Sequence, residues 1–471
     1  MIMYFSRVKI LILLYVINQV YGFIHLRHEN LPCLCGDSPT FWIEQPLDHF
    51  NETDQRTFKM KYHKILDFWK PGGPIVFYMN GEDRLDCSRA AMINSSNQRP
   101  EFRPVIDQIV EDTGAALFKL EHRYYGDSTP NNDLSTENLA YLSSRQALAD
   151  AAHLLVTIKE SPDFKDSKVI VIGGSYAGNL AAWMKLLYPT LVDAALASSA
   201  PVLAKANFNE YYEQVTDTFK KYRPHDCINR TIEKFNTFRE LLKTPEGIKN
   251  LKKQQNICEN TDMTILENQQ LFFEVALNIY AIEAQYGKPD EPSAACKMNL
   301  SFADIKHNRF NMGKSNDCFD FDYNEHIKAV HPKHRSWYYQ TCTEFGYFQT
   351  VESNKTMFGN ILPVDYYYKN CKDLYGVEFD EERVKQGVIK TNKIYGGLTP
   401  NVTNVVFTNG DMDPWHRISV LHDLSPDAPS IYIEGASHCA DQSYPYNTEN
   451  KNITAARIQI VKLLKKWIGV A

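Results

Sequence analysis

The segment Val169-Ile170-Val171-Ile172-Gly173-Gly174-Ser175-Tyr176-Ala177-Gly178 constrains the fold more than any other stretch of the chain. Four apolar β-branched residues in a row read as a strand buried on both faces. Two glycines end it, a serine follows, and Leu180, Ala181, Ala182 and Trp183 open a helix. A turn this abrupt presses strand against helix, so the residues flanking the serine must be small. The serine hydroxyl is then lifted clear of the sheet, where it can act as a nucleophile. The pattern departs from G-x-S-x-G in one place: Ala177 takes the last glycine position and Gly178 follows. A tight turn carrying an incidental serine would look the same, so the chemistry depends on partners elsewhere.

Other apolar runs resemble this strand: Pro74 to Met79, Ala115 to Leu120, Leu191 to Ala197, Val402 to Phe407 and Ser430 to Ile433. With Lys168 to Ile172 they make six short runs bounded by Gly, Asn or Asp, as parallel strands should be. Thr136 to Ile158 has Leu and Ala at helical spacing, with Ser135 or Thr136 as its cap. Ala455 to Trp467 reads as a closing helix. Strands alternating with helices predict an α/β fold with a mostly parallel sheet.

The middle of the chain differs. Phe208 to Tyr222, Thr231 to Leu242 and Met263 to Tyr286 are long helical patterns, and buried-strand signals are scarce from 207 to 386. Six of the ten cysteines fall there. The expected organisation is an α/β part over 23–206, a disulfide-containing helical insertion over 207–386, and the rest of the α/β part over 387–471.

Residues 1–22 stand apart. Arg7 and Lys9 precede an apolar run from Ile10 to Val20, and Gly22 suits a cleavage point; this is a signal peptide, with an uncleaved anchor as the alternative. Export fits Cys33, Cys35, Cys87, Cys227, Cys258, Cys296, Cys318, Cys342, Cys371 and Cys439, an even count whose pairing sequence does not give. It also fits seven N-x-S/T sequons, at Asn51, Asn94, Asn229, Asn299, Asn354, Asn401 and Asn452. Cys33 and Cys35 have no matching His or Cys cluster, so no zinc site is expected. No later stretch could span a membrane. A net charge of −6 gives no basic field for nucleic acid.

A nucleophilic Ser needs a base, and the base needs a carboxylate to orient it. Asn409-Gly410-Asp411-Met412-Asp413-Pro414-Trp415 follows one late strand, and Gly435-Ala436-Ser437-His438 follows the next. His438 is the candidate base; His416 and His422 lie between these strands and fit less well, His416 being readable as a surface loop residue. Asp413 and Asp411 both remain candidates for the acid. Backbone N–H groups must face the developing oxyanion. Tyr176, after the nucleophile, is one candidate donor; Gly81, in the turn Asn80-Gly81-Glu82 after an early strand, is the other. Glu82 is a candidate substrate contact.

Six segments together resemble one family, the prolyl carboxypeptidase and dipeptidyl-peptidase II serine peptidases, and most nearly its thymus-specific branch. They are Phe41-Trp-Ile-Glu-Gln-Pro-Leu-Asp-His-Phe50, Glu121-His-Arg-Tyr-Tyr-Gly126, Gly173-Gly-Ser-Tyr-Ala-Gly178, Tyr339-Gln-Thr-Cys-Thr-Glu-Phe-Gly346, Asn409-Gly-Asp-Met-Asp-Pro-Trp415 and Gly435-Ala-Ser-His438. The resemblance implies an α/β-hydrolase domain with a helical cap inserted between nucleophile and acid. It also implies Ser175, Asp413 and His438 as the triad, the acid being the Asp before Pro-Trp. Asn80 departs from the two glycines that many relatives carry before the Glu. Trp415 would keep one wall of an apolar S1 pocket. Proline-cleaving relatives carry Met four residues after the nucleophile, where this chain has Asn179, so a weaker or altered preference for Pro is expected.

The expected activity is a secreted or lysosomal serine exopeptidase that cleaves peptides without metal or organic cofactor, with a homodimer left open by the resemblance. An esterase or lipase on the same fold, or an inactive binding protein, are the competing functions.

Overall fold

The apolar runs pair edge to edge in one eight-stranded sheet, in the order β1-β2-β4-β3-β5-β6-β9-β10. The strands are β1 (Thr40–Pro46), β2 (Thr57–Ile65), β3 (Ile75–Met79), β4 (Ala116–Leu120), β5 (Val169–Gly174), β6 (Ala194–Ser198), β9 (Val405–Gly410) and β10 (Ser430–Ile433). From β4 to β10 all neighbours are parallel, whereas β1 and β2 are antiparallel. Short β7 (Lys205–Asn207) and β8 (Gly346–Phe348) form a separate parallel pair. This strand order, with its antiparallel second strand, is the α/β-hydrolase arrangement. The computed structural model describes residues 40–85, 103–297, 318–330, 332–443 and 450–470. The expected leader (1–22), Cys33, Cys35, Cys87 and the sequons at Asn94 and Asn299 lie outside them.

Alternation along β5 divides the core. Ile170 and Ile172 pack with α1 (Val105–Thr113) and with the C-terminal helix Lys451–Trp467, through Ile109, Ile460 and Leu464. Val169 and Val171 face the other layer, which holds Leu148 and Leu155, Leu180 and Trp183. The predicted helix from Thr136 to Ile158 is two helices, α2 (Thr136–Leu139) and α3 (Ser144–Lys159). Each has its own serine cap: Ser135 accepts from Asn138 N and Ser143 from Gln146 N. Arg123 holds the turn between them by donating to Tyr141 O at 2.9 Å. After β5, α4 (Tyr176–Leu187) follows directly.

Between β6 and β9 the chain is mostly helical: α5 (Glu210–Tyr222), α6 (His225–Leu241), α7 (Pro245–Gln255), α8 (Leu266–Tyr286), α9 (Tyr323–Lys328), α10 (Pro332–Gln340), α11 (Val364–Tyr375) and α12 (Glu381–Tyr395). Residue 386 falls inside α12, and the chain leaves this helix only at Gly396, whose φ is +89°. Cys227–Cys296, Cys258–Cys318 and Cys342–Cys371 are disulfides. Cys439 is a free thiol.

Charge is buried where the amino-terminal hairpin meets the sheet. Arg123 and Asp150 are both wholly buried, with Nε to Oδ2 at 2.6 Å and Nη2 to Oδ1 at 2.8 Å. Arg123 also donates to Leu47 O and Pro46 O, while His49 Nε2 meets Asp150 Oδ1 at 2.8 Å. Removing one member of such a pair strands the other charge in the core. Arg123→Leu should therefore cost about 3–5 kcal/mol, read as a lower urea midpoint; an unchanged midpoint would show that the pair is not structural.

Candidate active site

Ser175 sits on the turn between β5 and α4 with φ +59° and ψ −132°, a conformation that L residues rarely adopt. Its N–H is held by Ser198 O on β6 at 2.9 Å. The neighbouring small residues are compulsory. A Cβ on Gly173 would lie 1.9 Å from Ala177 O, and one on Gly178 would lie 2.7 Å from Ser198 O. At the departure from the usual pattern, the Ala177 methyl is accommodated: it lies 3.6 Å from where a Cβ on Gly81 would be.

The structure separates the two carboxylates that spacing left open. Asp413 is wholly buried; its Oδ2 lies 2.6 Å from His438 Nδ1 and its Oδ1 accepts from Trp415 N at 3.0 Å. Asp411 is committed elsewhere, accepting from Tyr222 Oη at 2.6 Å, Lys221 Nζ at 2.9 Å and Gly435 N at 2.7 Å. His438 is fixed from both sides: its own N–H bonds Gln285 O at 2.8 Å, and Cys439 N bonds Ser199 Oγ at 2.9 Å. Burial opposes a charge on the imidazole, but the Asp413 carboxylate and the adjoining Cys439 outweigh it, and the pKa of His438 is raised well above the ordinary value. His438 Nε2 is buried without a hydrogen-bond partner. Ser175 is half-buried, and no hydrogen bond joins its hydroxyl to the imidazole.

The other candidate histidines are not at this centre. His416 is buried rather than on a surface loop, with Nδ1 at 3.1 Å from Gly410 O and its ring on Tyr432. Burial lowers its pKa. His422 is exposed.

Gly81 is brought against the start of α4: a Cβ there would lie 3.4 Å from Ala177 N. The Gly81 N–H has no acceptor among the described residues. As the first residue of a helix, Tyr176 has an N–H with no intrahelical acceptor. Asn80 closes its turn by donating from Nδ2 to Asp83 O at 2.5 Å. Glu82 is half-buried, and its charge reaches Tyr125 and Tyr176.

Buried aromatic rings pack around the residues that flank these groups. Trp415 packs on Phe208, Tyr211 and Tyr347 at 5.4–5.7 Å. Tyr176 packs on Trp337 and Phe345 at 5.6 and 5.3 Å. Asn179 is wholly buried among them, donating from Nδ2 to Pro201 O at 3.1 Å and Tyr347 Oη at 3.2 Å, and its Oδ1 has no partner.

The match to known proteins is specific. A family model described as serine carboxypeptidase S28 fits residues 45–460. The chain belongs to that family of serine peptidases. It is 30% identical to the thymus-specific serine protease of Mus musculus, over 91% of this chain and 87% of that protein. It is 26% identical to the lysosomal Pro-X carboxypeptidase of Homo sapiens, over 95% of this chain and 92% of the relative. A solved proline iminopeptidase of Mycobacterium smegmatis aligns over 91% of the chain with a TM-score of 0.40 and 10% identity. No described helix is long and apolar enough to cross a membrane.

Sequence reasoning missed several supporting groups of this serine peptidase. Gln285 and Tyr286, at the end of α8, touch His438 through the backbone and through a ring contact at 5.8 Å. Nothing in their local pattern marks them. His122 and Gln340 were inside segments singled out above, yet had no role. His122 Nδ1 donates to Arg123 O at 2.8 Å, leaving Nε2 to accept from Tyr176 Oη at 3.0 Å. Gln340 joins Tyr176 Oη at 2.9 Å to Tyr125 Oη at 2.6 Å. Burial lowers the His122 pKa from 6.5 to about 4, so the imidazole is neutral at pH 7. The unfolded chain binds this proton below about 6.5 and the native state does not, so stability must fall as pH drops from 6.5 towards 4. The contribution is roughly 3 kcal/mol when complete. In urea titrations across that window, His122→Gln should lose less stability on acidification than the wild type; an identical slope would remove His122 as the cause.

Proposed function

We propose that Ser175, His438 and Asp413 act as a catalytic triad in a serine exopeptidase. The observation that carries this reading is the 2.6 Å contact between His438 Nδ1 and the wholly buried Asp413, beside a carboxylate, Asp411, that is already occupied. Ser175 Oγ attacks the peptide carbonyl while His438 Nε2, which no protein group occupies, takes its proton. The same proton passes to the leaving amine, and water hydrolyses the acyl-enzyme by the reverse route. Asp413 orients the imidazole and favours its charged form. The N–H groups of Gly81 and Tyr176 receive the oxyanion. Apo spacing between nucleophile and base is commonly loose and tightens with substrate.

Trp415 and the rings around it form an apolar S1 pocket suited to proline, the preference named for the lysosomal relative. Asn179 tempers that preference, because its unpaired Oδ1 places a polar atom in apolar surroundings. The helices over 207–386 cover the site and restrict it to chain ends and short peptides. Entry to the secretory pathway, with delivery to lysosomes or the outside, fits the leader and the sequons. Asn51, Asn229, Asn354, Asn401 and Asn452 are all exposed.

Ser175→Ala, Asp413→Asn and His438→Ala should each lower kcat/KM by at least about 10³-fold with the fold intact. Asp411→Asn, despite its neighbouring position, should retain far more activity than Asp413→Asn. The reverse ranking would reassign the acid.

A second outcome concerns specificity. With matched peptides carrying Pro or Ala before the scissile bond, the wild type should favour Pro by less than about 200-fold. A preference above about 10³-fold, unchanged in Asn179→Met, would remove Asn179 as a determinant.

A further inference from the structure

Ser198 ends β6 and Ser199 follows it, and both are buried. Both side chains meet the loop that runs on from His438. Ser198 Oγ donates to Asp441 Oδ1 at 2.5 Å, and Ser199 Oγ accepts from Cys439 N at 2.9 Å. The same Ser198 supplies the carbonyl that holds Ser175 N at 2.9 Å. One residue therefore meets the nucleophile turn with its backbone and the base loop with its side chain.

The loop is pressed onto the elbow at two further points. Gln442 Nε2 donates to Gly173 O at 3.1 Å. A Cβ on Gly174 would lie 2.9 Å from Cys439 Sγ, so a side chain beside the nucleophile would have to displace that thiol. From the other side Arg457, on the C-terminal helix, donates to Asp441 O and to Ala440 O, each at 2.9 Å. Asp441 itself is buried. Burying a carboxylate is costly and needs a specific bond in return, and the bond to Ser198 is such a one.

We propose that Asp441 is a positioning residue for the reaction: through Ser198 it sets the placement of the His438 imidazole relative to Ser175 Oγ. The inference rests on reading Ser175 and His438 as the reacting pair. A charge-assisted hydrogen bond is short and directional. The strained turn at Ser175 keeps its conformation only while its surroundings hold it. Without the bond, Ser198 and the loop after His438 can relax independently. A displacement of about 1 Å between reacting groups costs about 10²-fold in rate.

The test counts active sites first, by fluorophosphonate uptake at completion, and expresses kcat per labelled site. Asp441→Ala and Ser198→Ala should each lower kcat per site, and the rate of Ser175 labelling, by about 10- to 100-fold, with KM little changed. Asp441→Asn keeps an acceptor for the Ser198 hydroxyl and should recover most of the loss. The double variant, Asp441→Ala with Ser198→Ala, should be no slower than either single one, because both remove the same bond. A carboxylate with only a structural role would reduce the number of labelled sites and the urea midpoint, and leave kcat per site alone. That result, or losses that add in the double variant, overturns the inference. If Asp441→Ala does not fold, Ser198→Ala decides, and a wild-type kcat per site in that variant overturns it. A wild type that neither labels at Ser175 nor cleaves peptides overturns it together with the proposed function.

Discussion

The strained backbone at Ser175 is the constraint on which the rest of the site depends. A residue at φ +59° persists only where its surroundings over-determine it. Here the Ser198 carbonyl holds the serine N–H, and β5, α4 and β6 approach so closely that Gly173 and Gly178 admit no side chain. That crowding ties the turn to the packing of the central sheet. Val169 to Ile172 must be buried on both faces, with one helical layer on each. The serine is held up by the packing of the whole α/β layer, not by its own loop.

The remaining groups depend on the helices between β6 and β9. Gln214 Nε2 donates to Asp411 O at 2.8 Å and Thr218 Oγ1 to Met412 O at 3.0 Å, while Lys221 and Tyr222 bind the Asp411 carboxylate. One face of α5 therefore fixes the turn that presents Asp413. The end of α8 fixes His438 through Gln285 O, and both helices belong to a layer tied by disulfides such as Cys227–Cys296. The geometry at the imidazole is therefore set by these helices.

Five of the six parallel strands were legible because residues buried on both faces leave unbroken apolar runs; the edge strand β10, with Tyr432 exposed, was legible from its apolar residues alone. β1 and β2 were not: β2 carries Lys59, Lys61, His63 and Lys64 among its alternating residues, and β1 is an edge strand that pairs only with β2. The elbow was legible because close packing excludes side chains, a demand that shows in the letters. The choice of Asp413 over Asp411 was not decided by spacing, because both lie on one turn and differ only in what reaches them through space. The segment Tyr339 to Gly346 was visible as a pattern without a reason. Its reasons are tertiary: Gln340 meets Tyr176, Cys342 meets Cys371, and a Cβ on Gly346 would lie 2.4 Å from Ala206 Cα.

The central claim is that Ser175, raised on its strained turn beside a His438 oriented by Asp413, is the nucleophile. It is tested most directly by reacting the full chain with a fluorophosphonate and mapping the adduct by mass spectrometry. The account predicts one phosphonylated residue, Ser175, formed more slowly as pH falls and His438 takes up a proton. An adduct on another residue, or hydrolysis of peptides by a protein whose Ser175 stays unmodified, would contradict it.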